Sequence, residues 1–234
     1  MKIDFVSDVA CPWCAVGLSS LEIALARLDP ELAVELHFQP FELNPQMPPE
    51  GEDATEHLSR KYGAPPEQLA KNRQHLRERG AAVGFTFGDR PRVWNTFDAH
   101  RLLHWAGVAP GRTKPNHAPS GVSERSERGG VTSQGKQREL KHALLAAYHT
   151  RAENPGAHDV LLKAAKEVGL DTARAAEILD SDAYAAEVRA AEHHWQQLGI
   201  HSVPAVVIDD RHLISGGQPP EVFEQALARI AAGG

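Results

Sequence analysis

The spacing of hydrophobic residues divides the chain into an N-terminal part, a helical middle part and a C-terminal part. Residues 2–7 contain the short apolar run Ile3-Asp4-Phe5-Val6 and predict a strand, and residues 33–39 alternate between apolar and polar positions as a second strand. Between them, leucines recur at helical spacing through residues 12–28. These three segments predict a β-α-β unit at the N-terminal end of the chain.

From about residue 54 the spacing becomes helical, and after Gly199 it alternates once more. The predicted helices lie at 54–62, 66–79, 96–106, 140–148, 160–168, 172–180 and 182–198. Residues 204–209 and 212–215 then predict a hairpin, which a helix through Val222 and Ile230 follows.

The order β-α-β, helices, β-β-α predicts an α/β protein with a thioredoxin-like fold, interrupted by an all-helical insertion. Residues 1–50 and 199–234 would form the two halves of the thioredoxin-like domain, and residues 51–198 the insertion. Within the insertion, residues 108–133 hold eleven Pro, Gly or Ser among 26 positions. So few large apolar side chains cannot offset the entropy of ordering, which predicts a disordered loop between two helices.

Composition excludes several classes of partner. The net charge is −6 and the pI is about 6.1, so we expect neither a nucleic-acid surface nor an anionic-membrane surface. No apolar run approaches the roughly 20 residues that span a bilayer. Met1 and Lys2 lead into a strand that contains Asp4, which is unlike the apolar region of a signal peptide. We therefore expect a cytoplasmic protein.

The candidate chemistry lies in Cys11-Pro12-Trp13-Cys14, which holds both cysteines of the chain. The motif follows the first predicted strand and opens the first helix, where unpaired N–H groups and the helix dipole favour a thiolate on Cys11. Pro12 suits the first helical turn, and Cys14 lies one turn on. This arrangement is typical of a thiol–disulfide enzyme.

Two other interpretations of the cysteines stay open. A zinc half-site would need two further ligands, usually a second C-x-x-C or histidines at short spacing, and neither is present. Alternatively, both cysteines could be buried structural residues. That interpretation does not explain why they flank a proline in a strand-to-helix turn.

Together with Gly199-Ile-His-Ser-Val-Pro-Ala205, the Cys-Pro-Trp-Cys motif resembles the DsbA-like oxidoreductases of the thioredoxin superfamily, most closely their cytoplasmic FrnE-type branch. The resemblance covers nearly the whole chain, including Phe41–Pro45 and Asn95–Leu102. It does not extend to residues 108–133, which have no counterpart in the family pattern.

The resemblance implies roles for individual residues. Cys11 would attack a disulfide and Cys14 would resolve the mixed intermediate, with Pro12 and Trp13 tuning the pair. Pro204 would be cis and face the cysteines, and the backbone of Val203 would pair with an extended substrate. The implied partners are proteins that carry a disulfide or a dithiol, with glutathione as a candidate co-substrate. No other cofactor and no metal are implied.

Weaker signals concern isolated polar residues. Asp8 precedes the motif and could cap or tune the turn. Glu35 lies on the second strand, where it could be a buried acid that relays a proton to the second cysteine, or part of a solvated face. Asn95 is expected to cap the helix at 96–106 and to line the substrate groove. His100 and His104 are one helical turn apart, but such a pair more often packs than binds metal.

Two rival functions stay open. The first is a glutathione-dependent isomerase or transferase of the kappa class or the 2-hydroxychromene-2-carboxylate isomerase type. These enzymes look similar overall, but usually carry serine at the position of Cys11. The second rival is a thiol-independent chaperone or partner-binding module.

Overall fold

A computed structural model describes residues 1–28, 32–108, 131–132 and 136–233. The strands are β1 (Lys2–Ser7), β2 (Val34–Pro40), β3 (Glu52–Asp53), β4 (Arg92–Val93), β5 (Val131–Thr132), β6 (Ala205–Ile208) and β7 (His212–Ser215). The helices are α1 (Pro12–Arg27), α2 (Ala54–Tyr62), α3 (Pro66–Ala82), α4 (Phe97–Gly107), α5 (Gln137–His149), α6 (His158–Glu167), α7 (Thr172–Leu179), α8 (Ala185–Gln197) and α9 (Pro220–Ala231). The β-α-β start, the helical middle and the β-β-α end match the order predicted from the sequence.

The central sheet has the order β5-β2-β1-β6-β7. β1 runs parallel to β2 and antiparallel to β6, and β7 forms a hairpin with β6. Because β1 lies in the middle, its side chains are buried on both faces. Ile3 and Phe5 face the core that α1 and α9 cover, whereas Val6 packs with Trp195 of α8 on the opposite face.

The insertion forms a second core. Helices α4, α5, α6 and α7 pack through apolar positions that include Leu102, Leu144, Leu161 and Ile178. This core adjoins the sheet because α4 and α8 both contact β2. The insertion therefore lies against the thioredoxin-like half, near the end of β1 from which the cysteine motif starts.

Two details differ from the sequence prediction. The insertion is not entirely helical, because β3 and β4 pair as a two-residue antiparallel ladder. Strands this short carry no periodicity, so the hydrophobic pattern could not indicate them. In addition, Val131 and Thr132, which were predicted to lie in a disordered loop, form β5 and pair with the edge of β2. Residues 109–130 and 133 of that predicted loop lie outside the described residues.

The central sheet therefore includes one strand, β5, from within residues 51–198. No helix in the described part of the chain is both long enough and apolar enough to cross a bilayer.

Candidate active site

The cysteine motif lies where β1 meets α1. Cys11 is the N-cap of α1 with extended backbone angles, and Pro12 occupies the first turn. The backbone N–H of Cys11 donates to the Asp8 carbonyl at 3.3 Å, which closes the turn between strand and helix. Cys14 lies one turn into the helix, fully buried, and both residues are free thiols.

The two thiols differ in acidity. The pKa of Cys11 is lowered, chiefly because the Cys14 side chain hydrogen-bonds to it, and the backbone N–H groups of Cys14 and Trp13 add to this effect. Burial raises the pKa of Cys14 well above its ordinary value, and the neighbouring Cys11 raises it further. The pair thus consists of one thiol poised to ionise and one held protonated, the asymmetry that nucleophilic and resolving cysteines need.

The segment Gly199–Ala205, which also carries the family resemblance, lies beside the cysteine motif. The Val203–Pro204 peptide bond is cis, as the family resemblance implies, and the Cys11 thiol donates to the Val203 carbonyl at 3.4 Å. A methyl group added at Gly17 would come within 3.0 Å of the Pro204 ring. Glycine at position 17 therefore lets the loop approach α1 closely.

Trp13 is half-buried and contacts the helical insertion. Its ring centroid lies 5.9 Å from that of His75 and 5.9 Å from the Arg79 guanidinium carbon, both on α3. Arg79 also donates to the Gly217 carbonyl at 3.1 Å. Tyr62, at the end of α2, is 62% exposed, and the charge of Cys11 raises its pKa in addition to the effect of burial, which is larger. α2 and α3 thus flank the cysteine motif.

Asp8 precedes the motif and is fully buried, and its carboxylate accepts several hydrogen bonds. Its carboxylate accepts from the backbone N–H of Ala10 at 3.0 Å, from that of Leu43 at 2.7 Å and from the Thr96 hydroxyl at 2.8 Å, and it lies 3.4 Å from Nε2 of His100. Burial raises the pKa of Asp8, but His100 and the backbone donors outweigh it and leave the pKa below its ordinary value. Asp8 therefore ties the turn to the segment after β2 and to α4.

Other predicted residues lie elsewhere. The Glu35 side chain is 69% exposed, so of the two alternatives for this position the buried acid is wrong and the solvated face is correct: β2 buries Val34, Leu36 and Phe38 and turns Glu35 to solvent. Asn95 accepts from the Phe97 N–H at 2.8 Å at the start of α4, although Thr96 is the N-cap residue. A role for Asn95 in the groove stays a prediction.

Sequence reasoning missed two buried basic residues on α5. Lys141 is 1% exposed, and His149 is fully buried with Nε2 2.8 Å from the Val9 carbonyl. The only sequence signal for the burial of these two residues was their position next to the apolar residues of α5. Within the described residues, no cluster of three or more His, Cys, Asp or Glu side chains could hold a metal ion.

The fold and the site together define a thioredoxin-fold protein with a dithiol at the start of its first helix. A family model described as DSBA-like thioredoxin domain matches residues 2–118 and 123–228, so the chain belongs to this family. It is 26% identical over 231 residues to the uncharacterized protein YwbO of Bacillus subtilis, covering 97% of this chain and 96% of YwbO. It is also similar to the solved structure of a probable DsbA oxidoreductase, SCO1869 of Streptomyces coelicolor, with 33% identity, a TM-score of 0.82, and coverage of 98% of this chain and 89% of that one.

More distant structures share the fold alone. A 2-hydroxychromene-2-carboxylate isomerase has 12% identity and a TM-score of 0.68, covering 99% of this chain and 96% of that one. The cytosolic disulfide reductase DsbM of Pseudomonas aeruginosa, solved with GSH, has 15% identity and a TM-score of 0.62, covering 99% of this chain and 100% of that one.

Proposed function

We propose that the protein is a thiol–disulfide oxidoreductase that exchanges disulfides through Cys11 and Cys14. The observation that carries the proposal is the difference between the two thiols: Cys11 caps α1 with a lowered pKa, and Cys14 is buried with a raised one. Membership of the DSBA-like family supports redox chemistry in general, and the local geometry supports this particular reaction.

In the proposed first step, the Cys11 thiolate attacks one sulfur of a substrate disulfide. A Cys11–substrate bond forms, the substrate disulfide breaks, and its other sulfur leaves as a thiolate. Cys14 then loses its proton to solvent and attacks Cys11 Sγ, which releases the second substrate sulfur. The substrate gains two electrons, and the protein ends with a Cys11–Cys14 disulfide. The reverse sequence would oxidise a substrate dithiol.

The Val203 backbone is the proposed docking point for the substrate. Its carbonyl already accepts from the Cys11 thiol, so a chain that pairs with this segment would place its disulfide beside Cys11. Trp13, the second residue after Cys11, offers a half-buried aromatic surface. Disulfide-containing or dithiol-containing proteins are the proposed substrates.

Glutathione is a proposed second substrate. The charge of Cys11 acts on Lys61 at the end of α2, and Arg79 lies beside Trp13, so cationic groups that the carboxylates of glutathione would meet lie near Cys11. The sequence predicts a cytoplasmic location, and in that reducing setting the proposed net reaction is reduction of the substrate disulfide.

Trapping with cysteine variants tests the proposal. Cys14→Ser should accumulate mixed disulfides with a model disulfide substrate, because the resolving sulfur is missing, and Cys11→Ser should abolish both trapping and turnover. Mass spectrometry of alkylated, non-reduced samples would count the adducts. Turnover that persists in Cys11→Ser would contradict the assignment of the nucleophile.

The shared fold of the 2-hydroxychromene-2-carboxylate isomerase keeps a glutathione-dependent isomerase as the second candidate. The Cys11–Cys14 pair favours disulfide exchange, because an isomerase that uses glutathione as its thiol needs no resolving cysteine. Isomerisation of the chromene carboxylate that survives in Cys11→Ser would favour this second candidate instead.

A further inference from the structure

Side chains of α5 contact the helix that carries the cysteines and the turn before it. At one end, Arg138 and His142 contact the Glu22 carboxylate of α1 at 2.7 and 2.8 Å. At the other end, His149 reaches the carbonyl of Val9 in the turn before Cys11. Between them, Leu145 packs in the same core as Cys11 and Cys14. The face of α5 that includes Leu145 is therefore turned towards the cysteine pair.

Lys141 lies one turn before Leu145 on this face, and its burial is unusual. Its side chain is 1% exposed, although lysine is almost never fully buried unless it is paired. Across the described part of the chain, no hydrogen bond or ion pair to its ammonium group is present within the usual distances. A charge in this position needs compensation from groups slightly further away.

The compensating charges belong to the active site. The charges of Cys14, Asp8 and Cys11 favour the ammonium form of Lys141 against burial, which lowers its pKa and is the larger effect. Reciprocally, the charge of Lys141 lowers the pKa of Cys14 against the burial that raises it. His100 and His104 of α4 also face the lysine, across a small crevice.

The crevice lies beside Lys141. It measures about 10 Å³, room for about one water molecule. Lys141 and His100 line it together with the half-buried Gln39 and His104.

We propose that the Lys141 ammonium is the buried countercharge for the thiolate that Cys14 becomes when it resolves the mixed disulfide. The inference rests on the proposed function and assigns to the insertion a part in the second chemical step. Cys14 gives its proton to solvent, its sulfur attacks Cys11 Sγ, and the substrate sulfur leaves with the bonding electron pair. Lys141 is a positioning residue: it stays protonated throughout and acts on Cys14 by its charge.

This proposal separates the two chemical steps. Cys11 already has a hydrogen bond from Cys14 and backbone N–H groups that favour its thiolate, so its attack should depend little on Lys141. Cys14 is fully buried, so its thiolate costs more free energy to form than the thiolate of Cys11. Removing the countercharge should therefore slow resolution and leave the first attack nearly unchanged.

Stopped-flow reaction with the aromatic disulfide DTNB resolves both steps. The first thionitrobenzoate is released when Cys11 attacks, and the second when Cys14 resolves the mixed disulfide. In Lys141→Met, which keeps the length of the side chain without its charge, the second release should slow at least about tenfold at neutral pH. Its pH profile should move upward by about one pH unit or more, within the range by which a nearby opposite charge shifts a pKa. The first release should change less than about twofold.

Two further variants isolate the charge from packing. Lys141→Arg keeps the charge and should retain the pH profile of the native protein. Gln137→Leu removes buried hydrogen bonds from the same helix to Phe38 and Leu103 without changing any charge. It should lower stability and leave the pH profile of the second release in place.

The outcomes distinguish this inference from the proposed function. If the native protein releases two equivalents and Lys141→Met shows the same pH profile for the second, the countercharge proposal is overturned. A similar shift in Gln137→Leu would also overturn it, because loosened packing would then suffice. If the native protein releases no second equivalent, it is the two-cysteine mechanism itself that fails.

Discussion

Cys11 is 4% exposed, and burial alone would disfavour its thiolate. The hydrogen bond from Cys14 and the N–H groups at the start of α1 outweigh that effect, so the net pKa of Cys11 is lowered. The Asp8 carboxylate acts in the opposite direction. The reactivity of Cys11 is therefore a balance of a few neighbouring groups, each of which can be changed separately.

Replacing Cys14 tests the largest of these effects. Cys14→Ala removes the hydrogen-bond donor, so the pKa of Cys11 should rise. Cys14→Ser keeps a hydroxyl donor at the same position, so the pKa should rise less. The thiolate absorbance of Cys11 followed against pH measures both values. An unchanged pKa in Cys14→Ala would contradict the proposed hydrogen bond.

Several site residues could be identified from the sequence because they belong to local motifs. Cys11, Pro12 and Cys14 are placed by a strand-to-helix turn that the pattern already predicts. Asp8 could be suspected because it precedes that turn, but its partners Leu43 and Thr96 come from distant segments. Only the folded chain shows that Asp8 joins them.

At the scale of elements, α5 connects the insertion to the active-site turn. Its residue His149 is fully buried, its Nε2 contacts the Val9 carbonyl, and its Nδ1 has no hydrogen-bond partner among the residues that the structure describes. Burial lowers the pKa of His149 well below its ordinary 6.5, and the charge of Arg90 adds to the effect. The folded protein thus holds this histidine neutral.

Stability should therefore decrease in acid. The unfolded chain binds a proton at His149 as the pH falls below about 6.5, whereas the folded chain does not, so this contribution is complete above that pH and is lost below it. The loss is at most about 1.4 kcal/mol per pH unit. In His149→Gln, whose amide can still donate to Val9, the free energy of unfolding should fall less steeply between neutral pH and pH about 5.

Urea denaturation at a series of pH values measures this difference. His193→Gln is the matched control, because His193 is an exposed histidine on α8. Its slope should equal that of the native protein. A His149→Gln slope equal to the native one would contradict a neutral, buried His149.

The sequence could not predict these features of α5. Leu140, Leu144 and Leu145 indicate an α-helix at this place in the chain. A lysine or histidine on such a helix is normally solvated. Lys141 and His149 are buried because α5 packs against both α1 and the turn before it, a tertiary arrangement without a local signal. The same limit explains Glu35, since alternation separates the two faces of β2 but does not say which of them is covered.

At the scale of the whole molecule, two chain segments far apart in sequence meet at one sulfur atom. Cys11 lies at the start of α1, and Val203, whose carbonyl accepts from its thiol, lies 192 residues further on. The insertion between them supplies α3 beside Trp13 and α5 behind Cys14. The order of elements predicted the thioredoxin-like half well, because its strands and helices have clear periods. The ladder of β3 and β4 and the pairing of β5 were too short to be predicted.

The central claim is that Cys11 and Cys14 form a reversible redox couple. The most direct test equilibrates the protein in a series of glutathione buffers and follows the fluorescence of Trp13, with mass spectrometry to identify the bond. We expect a single two-electron transition between the dithiol and a Cys11–Cys14 disulfide, whose midpoint gives the direction of net transfer. A protein that forms no internal disulfide at any buffer ratio, or only a stable adduct of Cys11 with glutathione, would contradict the claim and favour the glutathione-dependent isomerase.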